Sequence, residues 1–138
     1  MKQHLAHIAL VIDDYDEAIT YFTEVLDFVL IEDTTVNEDK RWVTVAPTGA
    51  KECSLLLAKA SNEEQTRHIG NQTGGRVFLF LFTDDVFRDI EKYSQRGVHI
   101  EKQPTLEAHG TVAIFQDKFG NRWDLIQPSS LNKGQLPQ

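Results

Sequence analysis

The sequence predicts an α+β fold in which two βαβββ modules form a cup-shaped mixed sheet. Two apolar, strand-like segments, residues 5–12 and 76–83, are each followed by an Asp-Asp pair and a helix-like segment. The Asp-Asp pairs, residues 13–14 and 84–85, are 71 positions apart, which indicates an internal repeat. One such half cannot bury both faces of its sheet alone, so the two halves are expected to curve together around a cup.

The first half predicts one helix and four strands. Residues 5–12 are almost wholly apolar apart from His7, as in a buried strand. Asp14 and Glu17 have the spacing of a capping box and predict a helix start. The apolar stripe of that helix comprises Tyr15, Ala18, Ile19, Phe22, Val25 and Leu26. Further strands are predicted at residues 28–31, 41–46 and 53–58.

The second half repeats this order after a polar connector, residues 59–75. Asn62 is suited to cap a short helix within the connector, and Gly97 is suited to end the helix of the second half. The second half is predicted to contain strands at 76–83, 98–101, 111–115 and 122–127, a helix at 86–96, a loop at 104–110 and a loose tail from Pro128.

The closing segment, residues 115–125, predicts a strand, a tight turn and a strand. Gly120 and Asn121 accept positive φ at little cost, which favours the turn. Asp124 then lies between Trp123 and Leu125 in an otherwise apolar strand. A carboxylate at such a position faces water, pairs with a cation or binds a metal.

Composition excludes several classes of partner. The formal charge of −7 argues against nucleic acid and anionic membranes. The single cysteine, Cys53, cannot form an internal disulfide, which favours a reducing cytoplasm. The N-terminus lacks the apolar core of a signal peptide, and the longest apolar run, residues 77–82, is too short to span a bilayer. We therefore expect a cytoplasmic protein.

The paired modules, the sequence His7-Ile8-Ala9-Leu10 and the closing motif at residues 117–125 resemble the vicinal oxygen chelate superfamily. That superfamily includes glyoxalase I, bleomycin and fosfomycin resistance proteins, and extradiol dioxygenases. The resemblance covers residues 4–128. It implies one domain over residues 1–138, with modules 4–58 and 76–128, and a homodimer.

The resemblance also implies four metal-ligand positions, which fall on His7, Ser54, Phe78 and Asp124. Phe78 cannot bind a metal, and the neutral hydroxyl of Ser54 is a weak ligand. Because catalytic metal sites use at least three protein ligands, no tight metal and no other cofactor are expected. If a divalent metal is present, Glu52 is the candidate third ligand beside His7 and Asp124, because it precedes Ser54 by two residues on the same strand face.

Each candidate residue has two interpretations. His7 and Asp124 are candidate catalytic residues that could form a metal-free acid–base pair; alternatively, His7 is a neutral interior histidine and Asp124 pairs with an arginine. Phe78 and Phe80 either line a ligand site or belong to the core, and His109 either covers the mouth of the cup or is a solvated loop residue. Trp42 and Trp123 are expected between sheet and helix.

Three functions remain open, and the sequence does not decide whether the chain is an enzyme. The first is a metal-free binder of a small, partly aromatic molecule, for which the acidic charge favours a cationic ligand. The second is a divalent-metal enzyme of the glyoxalase or dioxygenase type. The third is a non-catalytic dimeric interaction domain.

Overall fold

A computed structural model describes residues 1–129 of the chain. The chain divides into two compact units, Met1–Ile69 and Gly70–Gln138. Each unit contains one four-stranded mixed sheet and at least one helix, which confirms the predicted α+β class and the strand–helix–strand–strand–strand order of each half. No helix in the described part of the chain is long and apolar enough to cross a membrane.

The sheet of the first unit, sheet A, has the strand order β1-β4-β3-β2. Strand β1 runs parallel to β4, whereas β3 is antiparallel to both β4 and β2. A β-bulge interrupts the β2–β3 pairing between Leu30 and Glu32. The strands are β1 (His7–Ile12), β2 (Phe28–Thr35), β3 (Arg41–Pro47) and β4 (Ser54–Lys59).

Helix α1 (Tyr15–Thr20) continues as a π-helical turn (Tyr21–Val25) and packs against β3 and β4. The Asp14 side chain accepts a hydrogen bond from the Glu17 amide, as expected of an N-cap. Most of the predicted helical stripe is buried, together with alternate residues of the strands. This core comprises Leu10, Ile12, Ala18, Phe22, Leu26, Val43, Val45, Leu55 and Leu57.

The second unit repeats this topology. Its sheet, sheet B, has the order β5-β8-β7-β6, with β5 parallel to β8. Helix α3 (Val86–Gln95) begins at the capping side chain of Asp85 and packs against β6, β7 and β8. The connector contains α2 (Glu63–Arg67), capped by Asn62 as predicted. The strands are β5 (Leu79–Phe82), β6 (His99–Glu107), β7 (Gly110–Gln116) and β8 (Arg122–Pro128).

The predicted loop at 104–110 is wrong, because β6 extends to Glu107 and pairs with β7 through two register irregularities. The sequence did not predict this part of β6 because it contains polar residues and Pro104. Both are tolerated in β6 because it is an edge strand of sheet B. Pro128 is the last residue of β8 and is buried, so the predicted tail does not start there. The remainder of that predicted tail, residues 130–138, lies outside the described residues.

Each sheet has one face that packs on a helix and one face that points away from it, which we call the helix-free face. In sheet A, Val43 and Leu57 are paired and buried on the helix side, so Trp42 lies on the helix-free face. The expectation that Trp42 packs between sheet and helix is therefore wrong. Trp123 of sheet B is only 2% exposed and stacks on Phe115 in the core, as expected.

Candidate functional sites on the two sheets

The helix-free face of sheet A carries a hydrogen-bonded pair, His7 and Ser54. The two residues are register partners on the parallel strands β1 and β4. His7 Nδ1 and Ser54 Oγ lie 2.7 Å apart and share a hydrogen bond whose donor depends on the imidazole tautomer. The Trp42 ring meets the His7 ring edge-on, with centroids 5.6 Å apart. These contacts fix the orientation of the imidazole.

This pair borders a surface cavity of about 520 Å³ in the first unit. Glu52, the candidate third metal ligand, lines the same cavity as His7. Cys53 also lines it and adopts a left-handed backbone conformation with φ of 58°. The complete lining is His4, Ala6, His7, Ile31, Ala46, Ala50, Lys51, Glu52, Cys53 and Ser54.

The helix-free face of sheet B carries Asp124 and two exposed phenylalanines. Because Trp123 and Leu125 are buried on the helix side, Asp124 points to the other face. Its register partner on β5 is Phe80, whose side chain is 65% exposed. Phe78, which matches His7 at the repeat offset, lies before β5 and donates its amide hydrogen to the Arg122 carbonyl. Phe80, not Phe78, therefore stands opposite Asp124 in the register.

Asp124 borders a surface cavity of about 640 Å³ in the second unit. Two arginines, Arg76 and Arg122, line it together with Phe80. The complete lining is Thr73, Gly75, Arg76, Val77, Phe80, Arg122 and Asp124. Both this cavity and the cavity of the first unit fall within the usual size range of small-molecule sites.

The Asp124 carboxyl is half-buried, and this burial raises its pKa. The nearby carboxylate of Glu107 raises the pKa further, whereas Lys102, Arg122 and His109 lower it. His109 lies in the turn between β6 and β7. The raised pKa means that the folded chain stabilises the ionised carboxylate poorly.

Arg122 forms an ion pair with Glu101, not with Asp124. Its guanidinium donates from Nε to Glu101 Oε1 at 2.9 Å and from Nη2 to Glu101 Oε2 at 2.5 Å. A third hydrogen bond runs from Nη1 to the Gly75 carbonyl oxygen. The Arg122 guanidinium lowers the pKa of Glu101 to about 2, with help from Gln116. The interpretation that Asp124 pairs with an arginine thus finds no support at Arg122.

A second carboxylate, Asp117, organises the turn before β8. It is only 4% exposed and accepts hydrogen bonds from the amides of Phe119 and Asn121, from Asn121 Nδ2 and from Trp123 Nε1. Burial raises the pKa of Asp117 although the four donors favour its charged form. Sequence reasoning identified the turn but not this role; an Asp six residues before a core tryptophan was the available signal.

The residues of each unit do not provide a complete metal site. Within either unit of the described residues 1–129, no group of three or more His, Cys, Asp or Glu side chains is placed to hold a metal ion. At the matched register positions, sheet A offers one imidazole beside a hydroxyl, and sheet B offers one carboxylate beside a phenyl ring. Neither donor pair fits a divalent ion by itself.

Comparison with known proteins assigns the family. The family model of the Glyoxalase/Bleomycin resistance protein/Dioxygenase superfamily matches residues 4–125. The chain belongs to this superfamily. The match spans both units and includes His7, Ser54 and Asp124. It confirms the resemblance read from the paired modules and the closing motif.

Three relatives illustrate the similarity within this superfamily. An uncharacterized protein of Shewanella frigidimarina (strain NCIMB 400) is 54% identical over 128 residues, covering 92% of this chain and 95% of the relative. The crystal structure of UcmS2 matches with a TM-score of 0.80 at 30% identity, covering 91% of this chain and 98% of UcmS2. TnmS3, an antibiotic binding protein from Streptomyces sp. CB03234, matches with a TM-score of 0.75 at 30% identity, covering 93% and 98%.

Proposed function

We propose that this chain binds a small, partly aromatic molecule on the helix-free faces of its sheets and holds no tight metal ion. The observation that carries the proposal is the cavity of about 640 Å³ in which the exposed ring of Phe80 lies beside Asp124. Large exposed aromatic side chains that line a concave surface are typical of ligand sites. The similarity to an antibiotic binding protein supports the same function.

The remaining candidate residues have supporting roles in this proposal. His7 and Ser54 would contact the ligand as a hydrogen-bonding pair, because both border the cavity of the first unit. Phe78 and His109 are candidate contacts for a ligand bound to the second unit. The homodimer, the cytoplasmic location and the absence of nucleic-acid and membrane partners belong to the same proposal and rest on resemblance and composition.

A thermal-shift screen of a small-molecule library, rich in polycyclic aromatic antibiotics, tests this function. We expect compounds that raise the melting temperature of the parent protein and fail to do so for Phe80→Ala. Phe87→Ala is the matched control, because Phe87 is 62% exposed on α3 and lines neither cavity. A screen without stabilising compounds, or with equal shifts in both variants, would count against the proposal.

A divalent-metal enzyme of the glyoxalase or dioxygenase type is the second candidate. The observation that favours it is Glu52, which lines one cavity with His7. The resemblance implies Asp124 as the further ligand, and a bound ion would polarise a substrate oxygen. His7 and Asp124 would then be the catalytic residues. The alternative of a non-catalytic dimeric interaction domain predicts a dimer without any ligand.

Elemental analysis after dialysis against nickel, zinc, manganese and iron(II) separates these candidates. The enzyme hypothesis predicts about one ion per chain, lost in His7→Ala and kept in the control His68→Ala, whose imidazole is exposed at the end of α2. The binding hypothesis predicts no retained ion in any of the three proteins. Light scattering coupled to size-exclusion chromatography measures the oligomeric state.

A further inference from the structure

The carboxylate of Asp124 is an unmatched charge on the helix-free face of sheet B. Within the described part of the chain, no group forms a hydrogen bond or ion pair with it. A half-buried carboxylate has lost part of its hydration and normally gains a partner in return. Because the described chain supplies no such partner, the Asp124 carboxylate is suited to accept a hydrogen bond or an ion pair from a ligand.

Two cations of sheet B, Lys102 and Arg122, are already paired with other acids. Lys102 Nζ lies 3.6 Å from Glu107 Oε1, and Arg122 is held by Glu101. Arg76 lines the same cavity, but no hydrogen bond or ion pair joins it to Asp124 in the described part of the chain. Lys102 and Arg122 are thus paired with other carboxylates, and the formal charge of −7 for the chain favours a cationic ligand.

The matched positions of sheet A provide an internal comparison. There the register pair is His7 and Ser54, and the two side chains satisfy each other through a hydrogen bond of 2.7 Å. In sheet B the register pair is Phe80 and Asp124, which cannot form such a bond. At the matched positions, the first unit thus has two polar side chains that hydrogen-bond to each other, whereas the second unit has a carboxylate beside an aromatic ring.

We propose that this position recognises a ligand with a protonated amine attached to an apolar group, the ammonium contacting Asp124 and the apolar group contacting Phe80. A cation next to a carboxylate and a phenyl face gains from both an ion pair and a cation–π contact. The exposed Phe82 extends the apolar surface along β5. This inference rests on the proposed small-molecule binding function and specifies its ligand class.

Three matched probes test the ligand class: 2-naphthylethylamine, 2-naphthylethanol and 2-naphthylacetate. They share the ring system and differ in charge, and their dissociation constants are measured by calorimetry or NMR titration. We expect the amine to bind about tenfold more tightly than the alcohol, equivalent to about 1.4 kcal/mol, and the carboxylate to bind most weakly. Higher ionic strength should reduce the advantage of the amine.

Variants assign the effect to the two side chains. Asp124→Asn should remove the preference for the amine while leaving the affinity for the alcohol unchanged. Phe80→Ala should weaken all three probes, and Phe87→Ala should leave them unaffected. Arg76→Gln should not weaken amine binding, because Arg76 is not part of the proposed ammonium contact.

Each failure has a distinct meaning. Equal affinities for the three probes, or tighter binding of the carboxylate with a loss in Arg76→Gln, would overturn the amine class and leave small-molecule binding intact. If none of the three probes binds but library compounds bind in a way that depends on Phe80, the amine class is overturned and small-molecule binding still stands. No probe and no library compound binding would overturn both this inference and the proposed function.

Discussion

Replacing Asp117 by alanine should destabilise the second unit strongly. The substitution removes the acceptor of four N–H groups, and three of these donors, the Asn121 amide, Asn121 Nδ2 and Trp123 Nε1, belong to residues that are 2% exposed. A buried donor left without a partner costs about 1–3 kcal/mol, so three such donors imply a loss of about 3–9 kcal/mol in the free energy of unfolding. The unfavourable burial of the carboxylate, which raises its pKa, offsets part of the loss.

Urea denaturation followed by tryptophan fluorescence measures this loss, because Trp123 is both a core residue and a hydrogen-bond donor to Asp117. Asp13→Ala is the control, since Asp13 is exposed and should change the free energy of unfolding by less than about 0.5 kcal/mol. Asp117→Asn should also be destabilising, because each carboxylate oxygen accepts two N–H groups and an amide nitrogen cannot accept. An Asp117→Ala protein as stable as Asp13→Ala would refute this reasoning.

Two further predictions concern the second unit. Glu101→Gln should lower the free energy of unfolding at neutral pH by about 1 kcal/mol, because it removes the charge that pairs with Arg122. Since Arg122 lowers the folded-state pKa of Glu101 from its ordinary value of 4.5 to about 2, the contribution of Glu101 to stability is present above pH 4.5 and is lost as the pH falls towards 2. Denaturation curves between these pH values should therefore converge for parent and variant; a constant gap would contradict the prediction. Gly70→Ala should destabilise far more than Gly74→Ala, although both glycines have nearly equal positive φ of 74° and 72°. A Cβ at Gly70 would lie 1.9 Å from the Phe119 carbonyl oxygen, whereas at Gly74 it meets nothing within 4 Å, so equal melting temperatures would be evidence against that close approach.

Local patterns sufficed to predict most of the fold. The caps at Asp14, Asn62 and Asp85 precede helices because a short acidic or amide side chain can accept from an amide three residues on. The apolar residues that recur periodically in α1 and in the inner strands are buried in the structure, because the helix and the sheet pack on each other through these faces. These signals are contained within a few neighbouring residues and need no knowledge of the partner strand.

Features that depend on pairing between distant strands were not predictable. The alignment of the two halves at an offset of 71 paired Phe78 with His7, whereas the strand register sets Phe80 opposite Asp124. Hydrogen bonding between β5 and β8 decides this register, and the sequence of either strand alone is compatible with a shift of two residues, which preserves the face. The location of Trp42 on the helix-free face was missed because residues 43–46, which follow it in β3, are buried on both faces of the strand, so the pattern does not show which face packs on the helix.

The candidate site was predicted in its residue types more than in its geometry. The resemblance to the superfamily implied His7, Ser54 and Asp124 as site positions, and the structure joins the first two by a hydrogen bond. Whether His7 and Asp124 act together stays a prediction. The pairing of Arg122 with Glu101 depends on β6 and β8 both lying beside β7, and no local sequence pattern specifies this arrangement of strands.

Binding of a library compound with and without a chelator tests the central proposal most directly. The measurement is the dissociation constant of the strongest compound for the parent protein, for Phe80→Ala and for Phe87→Ala, before and after dialysis against EDTA. If the compound binds at Phe80 without a metal, neither EDTA nor Phe87→Ala should change its dissociation constant. Phe80→Ala should raise the dissociation constant about tenfold or more. Binding that disappears with EDTA and returns with a divalent ion would contradict the proposal and favour the metal-dependent enzyme.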